Sequence, residues 1–415
     1  MKNKRWMSWV GLLGILLIFS VCAGTNEADL VEKARIIHDE ALTVDTHCDT
    51  PMMLVRGEYD MGERHEPGRR AGKIDLPRMK EGGLDAEFFA AFVGQGRLDP
   101  EGYASARERA DRMIDAVEEM CRRYPELVEK AVTPEDAVRL EKAGKRAAFI
   151  GMENGYPIGR DLSLVKYFYD RGVRYITLCH GGDNDICDSA TERKNPEDNG
   201  LSEFGRTVVE ECNRLGMMVD LSHLSDRSIY DVLELSKAPV FASHSSVRAL
   251  CDHPRNLTDD MLNKLKDNRG VIQICLVSSF VKTPVPNPDR EKALNDLRER
   301  YSASANSEDE GVRDQMRREY SEILEKYPME RASVKDLVDH IDHVVRLIGV
   351  DHVGIGTDFD GGGGIEGCDH VGEMPNITLE LLRRGYSQED IAKIWGGNVM
   401  RVMREVIETA RGITS

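Results

Sequence analysis

The stretch VDTHCDTP, residues 44–51, places a histidine and an aspartate two residues apart at the end of an apolar run. On a β-strand, the side chains at positions i and i+2 point to the same face. His47 and Asp49 would then face one side together, and Cys48 would face the other. An imidazole and a carboxylate aimed at one point suit a metal ion. A hydrogen-bonded pair at a strand end is the simpler explanation, so the rest of the chain must decide.

Eight apolar runs of strand length alternate with helical segments along the chain. Most of the runs are continuous, as expected for parallel strands that are covered on both faces. Strand–helix alternation repeated eight times is typical of a TIM barrel, the (β/α)8 form of the α/β class. A doubly wound sheet is the alternative and explains the number of strands less well. The predicted strands are LTVDTH (42–47), LDAEFFAAFV (84–93), RAAFIGME (146–153), VRYITLCH (173–180), MMVDLSH (217–223), PVFASH (239–244), GVIQICL (270–276) and HVGIGTDFD (352–360).

Residues from about 277 to 335 interrupt this alternation between the seventh and eighth predicted strands. The segment is first broken by prolines and is then heavily charged, with mixed signs at helical spacing. Such a pattern predicts solvated helices. We interpret the segment as a charged helical insertion on a single barrel domain that spans residues 24–415.

Polar side chains stand where the predicted strands end. In a TIM barrel the active site lies at the C-terminal ends of the strands, which converge on one mouth. A hydrogen bond to the backbone or a helix cap would explain each of these residues alone, but not their coincidence at one mouth. The residues are His47, Asp49, Glu153, His180, His223, His244 and Asp358.

Histidines and carboxylates gathered at one point suit one or two first-row divalent ions, zinc above all. Glu153 would lie on the barrel wall between two groups of ligands, where a carboxylate is able to bridge two ions. Two ions that share a water lower its pKa and polarise a carbonyl at the same time, which is hydrolytic machinery. We expect His340, His343 and His352 to lie outside this site, because they belong to a helix and a turn that precede the eighth strand.

The first residues resemble an export signal. MKNKRWMSWVGLLGILLIFSVCAG combines basic residues, an apolar run and small residues, so residues 1–23 are predicted to be a signal peptide. FSVC also resembles a bacterial lipoprotein signal, in which Cys22 would carry a lipid anchor, and ordinary cleavage after Ala23 competes with it. The mature chain is then exported, and is periplasmic or attached to the cell surface.

Composition limits the classes of partner. The chain has 415 residues, a net charge of −17 and a pI near 5.2, which argues against a nucleic-acid-binding protein because such a protein needs a basic face. The cysteines show no CxxC spacing, and several lie within apolar runs, for example Cys179 and Cys275. We expect those two to be buried free thiols.

A series of motifs resembles the membrane dipeptidase family of renal dipeptidase type, the M19 zinc peptidases. The likeness covers nearly the whole mature chain, and the order and spacing of the motifs are far more specific than any one of them. The motifs are DTHCD, GMENG, TLCH, DLSH, SHS followed by HPRNLTD, GIGTDFDGG and GGNVMRV.

The resemblance implies a TIM barrel of the metal-dependent hydrolase type with two zinc ions per chain. It assigns His47 and Asp49 to one ion, His223 and His244 to the other, and Glu153 to a bridge between them. A water or hydroxide shared by the two ions would then attack the peptide bond of a dipeptide.

The resemblance also implies roles for substrate-binding and catalytic residues. His180 would contact the substrate and stabilise the oxyanion, and Arg255 would bind the C-terminal carboxylate of the substrate. Asp358 would bind the amino group and transfer protons to the leaving nitrogen, with Asp360 as a weaker rival. The family further suggests a homodimer.

Two other functions stay open at this point. One is a different metal-dependent amidohydrolase acting on a cyclic amide, a lactone or a phosphoester. Many such barrels carry His-x-His on the first strand and a modified lysine on the fourth, whereas this chain has His-x-Asp and no lysine there. The other is a non-catalytic surface lipoprotein that binds peptide or metal, which would be expected to have lost some of the ligands.

Overall fold

Nine parallel strands form one sheet in the computed structural model, which describes residues 26–57, 59–66, 72–195, 197–301 and 310–414. Eight of the strands follow one another in the order β1-β2-β4-β5-β6-β7-β8-β9, and β3 pairs only with β4, outside this ring. The strands are β1 Val44–Cys48, β2 Ala86–Phe92, β3 Val128–Lys130, β4 Arg146–Glu153, β5 Val173–Thr177, β6 Met218–Asp220, β7 Phe241–Ser245, β8 Val271–Cys275 and β9 Val353–Gly356.

The ring closes between its first and last strands. The backbone N–H of Asp358 donates to the carbonyl of His47 at 3.0 Å, and the N–H of Asp49 donates to the carbonyl of Phe359 at 2.9 Å. Asp45 adds a side-chain link, because its carboxylate accepts hydrogen bonds from the N–H and the hydroxyl of Thr357. The predicted (β/α)8 barrel is confirmed.

Helices cover the outside of the ring. Several begin at a residue whose side chain accepts a backbone N–H in the first turn, as at Thr133, Thr258 and Ser333, which satisfies donors that the helix cannot pair internally. The helices are α1 Glu27–Glu40, α2 Pro51–Leu54, α3 Leu76–Gly82, α4 Pro100–Arg123, α5 Pro134–Lys142, α6 Ser163–Asp170, α7 Glu203–Leu215, α8 Asp226–Leu235, α9 Asp259–Asp267, α10 Ser278–Val281, α11 Pro288–Tyr301, α12 Glu310–Lys326, α13 Val334–Ile348, α14 Pro375–Arg383, α15 Gln388–Ala392 and α16 Asn398–Thr414.

The amino-terminal end of the barrel is filled with apolar side chains. Residues near the starts of the strands, such as Phe88, Phe149 and Phe241, form one buried cluster with the last helix, α16. Phe88 and Phe149 stack with their ring centroids 4.6 Å apart. This cluster fills the base of the barrel, at the end opposite to the carboxyl ends of the strands.

The described part of the charged segment between β8 and β9 is mainly helical, as predicted. It contains α10, α11 and α12, and Leu297 is the one residue of α11 that is fully buried. Every cysteine of the described residues is a free thiol, and both Cys179 and Cys275 are fully buried, as expected. Among the described residues, no helix has the length and apolarity that crossing a membrane requires.

The strands are shorter at their carboxyl ends than the apolar runs suggest. β5 ends at Thr177, three residues before His180, and β6 ends at Asp220, three residues before His223. β9 ends at Gly356, two residues before Asp358. These three side chains therefore stand on the first turns of loops, where the backbone is free to leave the sheet and aim them inward.

Candidate active site

All seven polar residues at the predicted strand ends come together at the mouth of the barrel. Their ligand atoms fall into three overlapping groups, and the atoms within each group lie within 4.8 Å of one another. Glu153 belongs to two groups, and so does His47. The groups are His47 with Glu153 and His244, Glu153 with His180 and His223, and His47 with Asp49 and Asp358.

Glu153 stands at the centre of this constellation, at the end of β4. Its Oε2 atom lies 3.5 Å from Nε2 of His47. Its Oε1 atom lies 3.0 Å from Nε2 of His223 and 3.6 Å from Nε2 of both His180 and His244. The two oxygens of one carboxylate therefore face different histidines.

A second acidic group lies beside His47. Oδ2 of Asp49 is 3.7 Å from Nε2 of His47. A Cβ atom placed on Gly361 would lie 2.0 Å from Oδ2 of Asp49 and 2.1 Å from Oδ1 of Asp358. Only glycine leaves enough space here for the two carboxylates to approach each other so closely.

Two of the loop residues have an unusual backbone conformation. His223 has φ 71° and Asp358 has φ 57°, in the left-handed region that residues other than glycine rarely adopt. Backbone strain of this kind persists where the surrounding structure enforces it, and it concentrates at functional sites. The sequence shows neither conformation, because neither position is a glycine.

The carboxyl groups at the mouth perturb one another. Burial, with the neighbouring charge of Glu153, raises the pKa of Asp49 to about 6. Burial also raises the pKa of Asp358 well above its usual range, and the charges of Asp49 and Glu153 act in the same direction. Glu153 behaves oppositely, because His47 and His223 hold its pKa well below the usual range although burial opposes them.

The pKa values of the histidines are also shifted in opposite directions. Burial lowers the pKa of His223 and of His244 well below the usual value, and nearby positive charges lower it further. Burial also acts to lower the pKa of His47, but Tyr175 and Glu153 raise it well above the usual value. The mouth therefore offers neutral imidazoles beside carboxylates in mutual repulsion, an arrangement that a bound cation relieves.

The donor set fits divalent metal ions. Nε2 of His47 and Oδ1 of Asp49 are buried and have no hydrogen-bond partner, although a buried polar atom normally has one. Imidazole nitrogens and carboxylate oxygens are the usual ligands of zinc and of related ions. Atoms that are buried, unpartnered and converging are therefore explained by metal binding.

Arg255 lies at the same mouth and is only 4% exposed. Its Nη2 donates to the carbonyl of His244 at 3.2 Å, whereas its Nε has no partner. The guanidinium lies over the ring of Phe280, 5.4 Å from the ring centroid. A buried cation with an unpaired donor is a ready site for an anion, and a carboxylate matches its geometry.

Asp360, the weaker rival of Asp358, has hydrogen-bond partners within the protein. Its Oδ2 accepts a hydrogen bond from Thr50 at 2.6 Å, and its Oδ1 accepts one from the backbone N–H of Lys73 at 2.8 Å. Both oxygens are thus engaged by the protein. His340, His343 and His352 belong to none of the three ligand groups, as expected, and hydrogen-bond to other protein groups.

Sequence reasoning missed the residues that support the ligands. The hydroxyl of Tyr175 lies 2.8 Å from Nδ1 of His47, and the hydroxyl of Ser243 lies 2.7 Å from Nδ1 of His244. Asp220 accepts a hydrogen bond from Ser243 in turn. One signal was available, because a polar residue inside an apolar barrel strand, such as Asp220 or Ser243, must be buried and therefore needs a partner.

Comparisons with known proteins agree with the motifs. The sequence profile of the family described as Membrane dipeptidase (Peptidase family M19) matches residues 31–415. Dipeptidase tcpJ of Claviceps purpurea is 35% identical over 367 residues, which cover 86% of this chain and 76% of that protein.

Solved structures give the same result. The crystal structure of the probable dipeptidase PvdM from Pseudomonas aeruginosa is 33% identical, covers 92% of this chain and 99% of that chain, and has a TM-score of 0.79. A metallo peptidase from Rhodobacter sphaeroides, liganded with a phosphinate mimic of the dipeptide L-Ala-D-Ala, is 25% identical with a TM-score of 0.70. That similarity covers 88% of this chain and 99% of that chain.

The family match extends over nearly the whole chain and includes each of the motifs that supply the polar mouth. The mouth itself gathers groups of histidines and carboxylates that are able to hold metal ions. The chain therefore belongs to the membrane dipeptidase family, peptidase family M19, and is a hydrolase of the metallo-dipeptidase class.

Proposed function

We propose that the chain hydrolyses the peptide bond of dipeptides with two zinc ions at the mouth of the barrel. His47 and Asp49 would hold one ion, His223 and His244 the other, and Glu153 would bridge the two. The position of Glu153 carries this proposal, because Oε2 faces His47 at 3.5 Å while Oε1 faces His223 at 3.0 Å. A carboxylate with one oxygen toward each half is suited to a bridge.

The ions, when bound, would supply Lewis acidity toward the substrate carbonyl and would lower the pKa of water. Mixed nitrogen and oxygen ligands, with no thiolate among them, favour zinc or a related first-row ion. The side chains of the mouth would bind and orient the substrate and move its protons.

Arg255 and Asp358 would hold the two charged ends of the substrate. The unpartnered Nε of Arg255 makes its guanidinium available to the C-terminal carboxylate. Asp358 would bind the amino group and pass a proton to the leaving nitrogen, since its carboxyl lies in the same ligand group as His47 and Asp49. His180, whose ring packs on Phe92 with centroids 4.6 Å apart, would donate to the oxyanion.

Contacts with both charged ends of the substrate would restrict its length. Only a dipeptide places its single peptide bond at the metals while it satisfies Arg255 and Asp358 together. The ligand named for the Rhodobacter sphaeroides relative, a mimic of a dipeptide, supports a substrate of this size. A longer peptide would leave one buried charge unpaired, which lowers kcat/KM by roughly 10²-fold or more.

The test compares kcat/KM for a dipeptide, its C-terminal amide and the matching tripeptide, in the wild type and in Arg255→Ala. We expect the wild type to prefer the free dipeptide, and the variant to lose activity on the dipeptide while barely changing its low activity on the amide. Arg97→Ala is the matched control, because Arg97 is an exposed arginine in the loop that follows β2, at the same end of the barrel. Similar wild-type rates on all three substrates, or an equal loss on acid and amide in the variant, would contradict the proposal.

Metal content is tested separately. We expect elemental analysis of the active, fully loaded enzyme to find about two zinc ions per chain, because the ligands outnumber those of one tetrahedral ion. One ion or fewer in fully active enzyme would contradict a two-ion site.

We also propose that the chain is exported, with residues 1–23 as its signal and Cys22 as the alternative site of a lipid anchor. These residues lie outside the described part of the chain, so the proposal rests on their sequence pattern. Mass spectrometry of the native protein tests it. A mature chain that begins near residues 22–24 is expected, a diacylglyceryl mass on Cys22 would establish the anchor, and an intact segment 1–23 on a cytosolic protein would contradict export.

We propose finally that residues 24–415 form one domain, with an insertion at about residues 277–335, and that two copies form a homodimer. Family resemblance suggests the dimer. A single cooperative unfolding transition is expected for one domain. Light scattering on the eluting protein should give twice the chain mass, and a monomer at micromolar concentration would contradict the dimer.

A further inference from the structure

A buried aspartate, Asp220, lies directly below the metal ligands at the end of β6. Its Oδ1 accepts hydrogen bonds from the backbone N–H groups of Ser222, at 3.0 Å, and of Ser243, at 2.8 Å. Its Oδ2 accepts from the hydroxyl of Thr177 at 2.5 Å and from the hydroxyl of Ser243 at 2.7 Å. Four donors around one fully buried carboxylate leave it only as an acceptor.

The hydroxyl of Ser243 has a single hydrogen, and this arrangement decides where it points. The carboxylate of Asp220 is a strong acceptor at 2.7 Å, whereas the other acceptor nearby, Oγ of Ser222, is 3.4 Å away. Toward Nδ1 of His244, at 2.7 Å, the serine oxygen can then offer only a lone pair. The hydrogen in that contact must come from the histidine.

The consequence for His244 is a fixed tautomer. With its proton on Nδ1, the imidazole has a free lone pair on Nε2. Nε2 is the atom that faces the site, 3.6 Å from Oε1 of Glu153 and 2.9 Å from Nε2 of His223. A neutral imidazole with a bare Nε2 in that position is ready to bind a metal ion without losing a proton first.

We propose that Asp220 and Ser243 form a relay that fixes the tautomer of His244 and so prepares it as a metal ligand. Both are positioning residues, since neither touches substrate or metal. The proposal rests on the proposed function, in which His244 ligates one ion. It goes further by naming a carboxylate two hydrogen bonds away from Nδ1 of His244 as a determinant of metal affinity at Nε2.

The other two histidine ligands are held differently, which makes the relay specific to one half of the site. Nδ1 of His47 contacts the phenol of Tyr175, and within the described residues no carboxylate hydrogen-bonds to that phenol. Nδ1 of His223 is buried and has no hydrogen-bond partner among the described groups. In the proposed assignment His244 and His47 bind different ions, so loss of the relay should weaken the ion at His244 and spare the ion at His47.

Asp220→Asn tests the relay because it allows the hydrogen bonds between residues 220, 243 and 244 to change direction. The asparagine NH2 group can donate to Ser243, which would then donate to Nδ1 of His244 and leave the proton on Nε2. We expect one of the two zinc equivalents to bind about 10–100-fold more weakly, measured by competition with a chromophoric chelator. Ser243→Ala removes the partner and should weaken the same equivalent, whereas Ser243→Thr retains the hydroxyl and should restore it.

Thr177→Val is the matched control. It removes the other hydroxyl from the same oxygen of Asp220 without touching Ser243 or His244. Its zinc affinity should stay within about 3-fold of the wild type, since it lies outside the relay. Unchanged affinity in both Asp220→Asn and Ser243→Ala would overturn the proposal, and so would an equal loss in Thr177→Val.

A second readout separates the relay from metal binding itself. Long-range ¹H–¹⁵N correlation spectra of the full chain, labelled at histidine and stripped of metal by a chelator, report the tautomer of His244. A proton on Nδ1 in the wild type and on Nε2 in Asp220→Asn is expected, and a wild-type proton on Nε2 would overturn the relay. A wild-type chain that binds no zinc at all would instead contradict the proposed function, whatever the tautomer.

Discussion

The two ends of the barrel are filled by chemically different side chains, apolar at the base and polar at the mouth. At the base, Phe88, Phe149 and Phe241 pack with α16 into an apolar cluster. At the mouth, carboxylates and imidazoles are buried together, and several of their atoms have no hydrogen-bond partner. A buried polar atom without a partner lowers stability, and apolar burial raises it. The comparison shows that apolar packing at the base stabilises the fold, whereas the unpartnered polar atoms of the mouth lower stability and are available for binding.

The largest effect is expected at the mouth, from Glu153→Gln. Both oxygens of Glu153 face the ligand histidines, so the loss of its charge should lower kcat/KM on the order of 10³-fold. The free energy of unfolding of the metal-free chain should fall, because His47 and His223 stabilise the charge of Glu153 and hold its pKa well below the usual range. Steady-state kinetics and urea titration measure the two quantities.

Glu87→Gln is the control for this prediction. Glu87 is also a fully buried carboxyl, but it lies on β2 beside Asp45 and Cys48 and belongs to none of the three ligand groups. Its removal should leave kcat/KM within a few-fold of the wild type. If Glu153→Gln retained more than a tenth of the wild-type activity, the functional assignment of the mouth would be wrong.

Phe149→Ala tests the base. The side chain is fully buried and stacks on Phe88, so its truncation should lower the free energy of unfolding by about 3–5 kcal/mol. The zinc content and kcat/KM of the folded enzyme should not change. Leu127→Ala removes a side chain that is 43% exposed and should cost less than about 0.5 kcal/mol. A large loss of metal in Phe149→Ala would show that base and mouth are not independent.

His38 is a buried histidine outside the mouth that should make the free energy of unfolding depend on pH. It is fully buried away from the mouth, with Nδ1 at 2.7 Å from the hydroxyl of Thr378 and Nε2 at 2.8 Å from the carbonyl of Gly82. Burial lowers its pKa from 6.5 to about 4. Between these values the unfolded chain binds a proton that the folded chain does not, so the free energy of unfolding falls as the pH falls.

The contribution of His38 should reach about 3 kcal/mol on going from pH 7 to pH 4. Urea titration of the wild type and of His38→Gln across this range measures it. The variant should be less stable than the wild type at pH 7, because it loses buried hydrogen bonds, and this difference should shrink as the pH falls. A difference that stays constant with pH would contradict the assignment.

The smallest effect is expected at Ser333, a polar residue that supports a helix. Its hydroxyl accepts the backbone N–H of Asp336 at the start of α13, and the carboxylate of Asp336 accepts in return from Ser333. Ser333→Ala should cost about 1 kcal/mol of stability and leave kcat/KM unchanged, whereas Ser333→Asn should retain most of the stability. A loss of activity in the alanine variant would mean that the cap also orders the site.

The barrel was predictable because its strands are continuous apolar runs, and all eight ring strands fall within the predicted stretches or within one residue of them. The ninth, β3, has three residues and no apolar pattern, so nothing local marks it. The residues of the mouth were also predictable, because the carboxyl ends of the parallel strands of a barrel lie at the same end. Contacts between residues far apart in the sequence were not predictable. Tyr175 contacts His47 across the barrel, and Asp220 is linked to His244 through Ser243.

The left-handed backbone at His223 and Asp358 was also beyond prediction. Glycine would have marked such a conformation, but these positions carry the functional side chains themselves. Nor does spacing reveal which oxygen of Glu153 faces which histidine, because that depends on how the strands tilt around the ring.

The closure of the ring between β1 and β9 has a consequence for biosynthesis. The hydrogen bonds from Thr357 to Asp45 join residues that are 312 positions apart. At about 5–20 residues per second, the ribosome needs roughly 15–60 s to make the chain between them. Throughout that time β1 has an open edge, to which any extended segment can pair. The yield of native enzyme should therefore depend on how well this edge is shielded while translation continues.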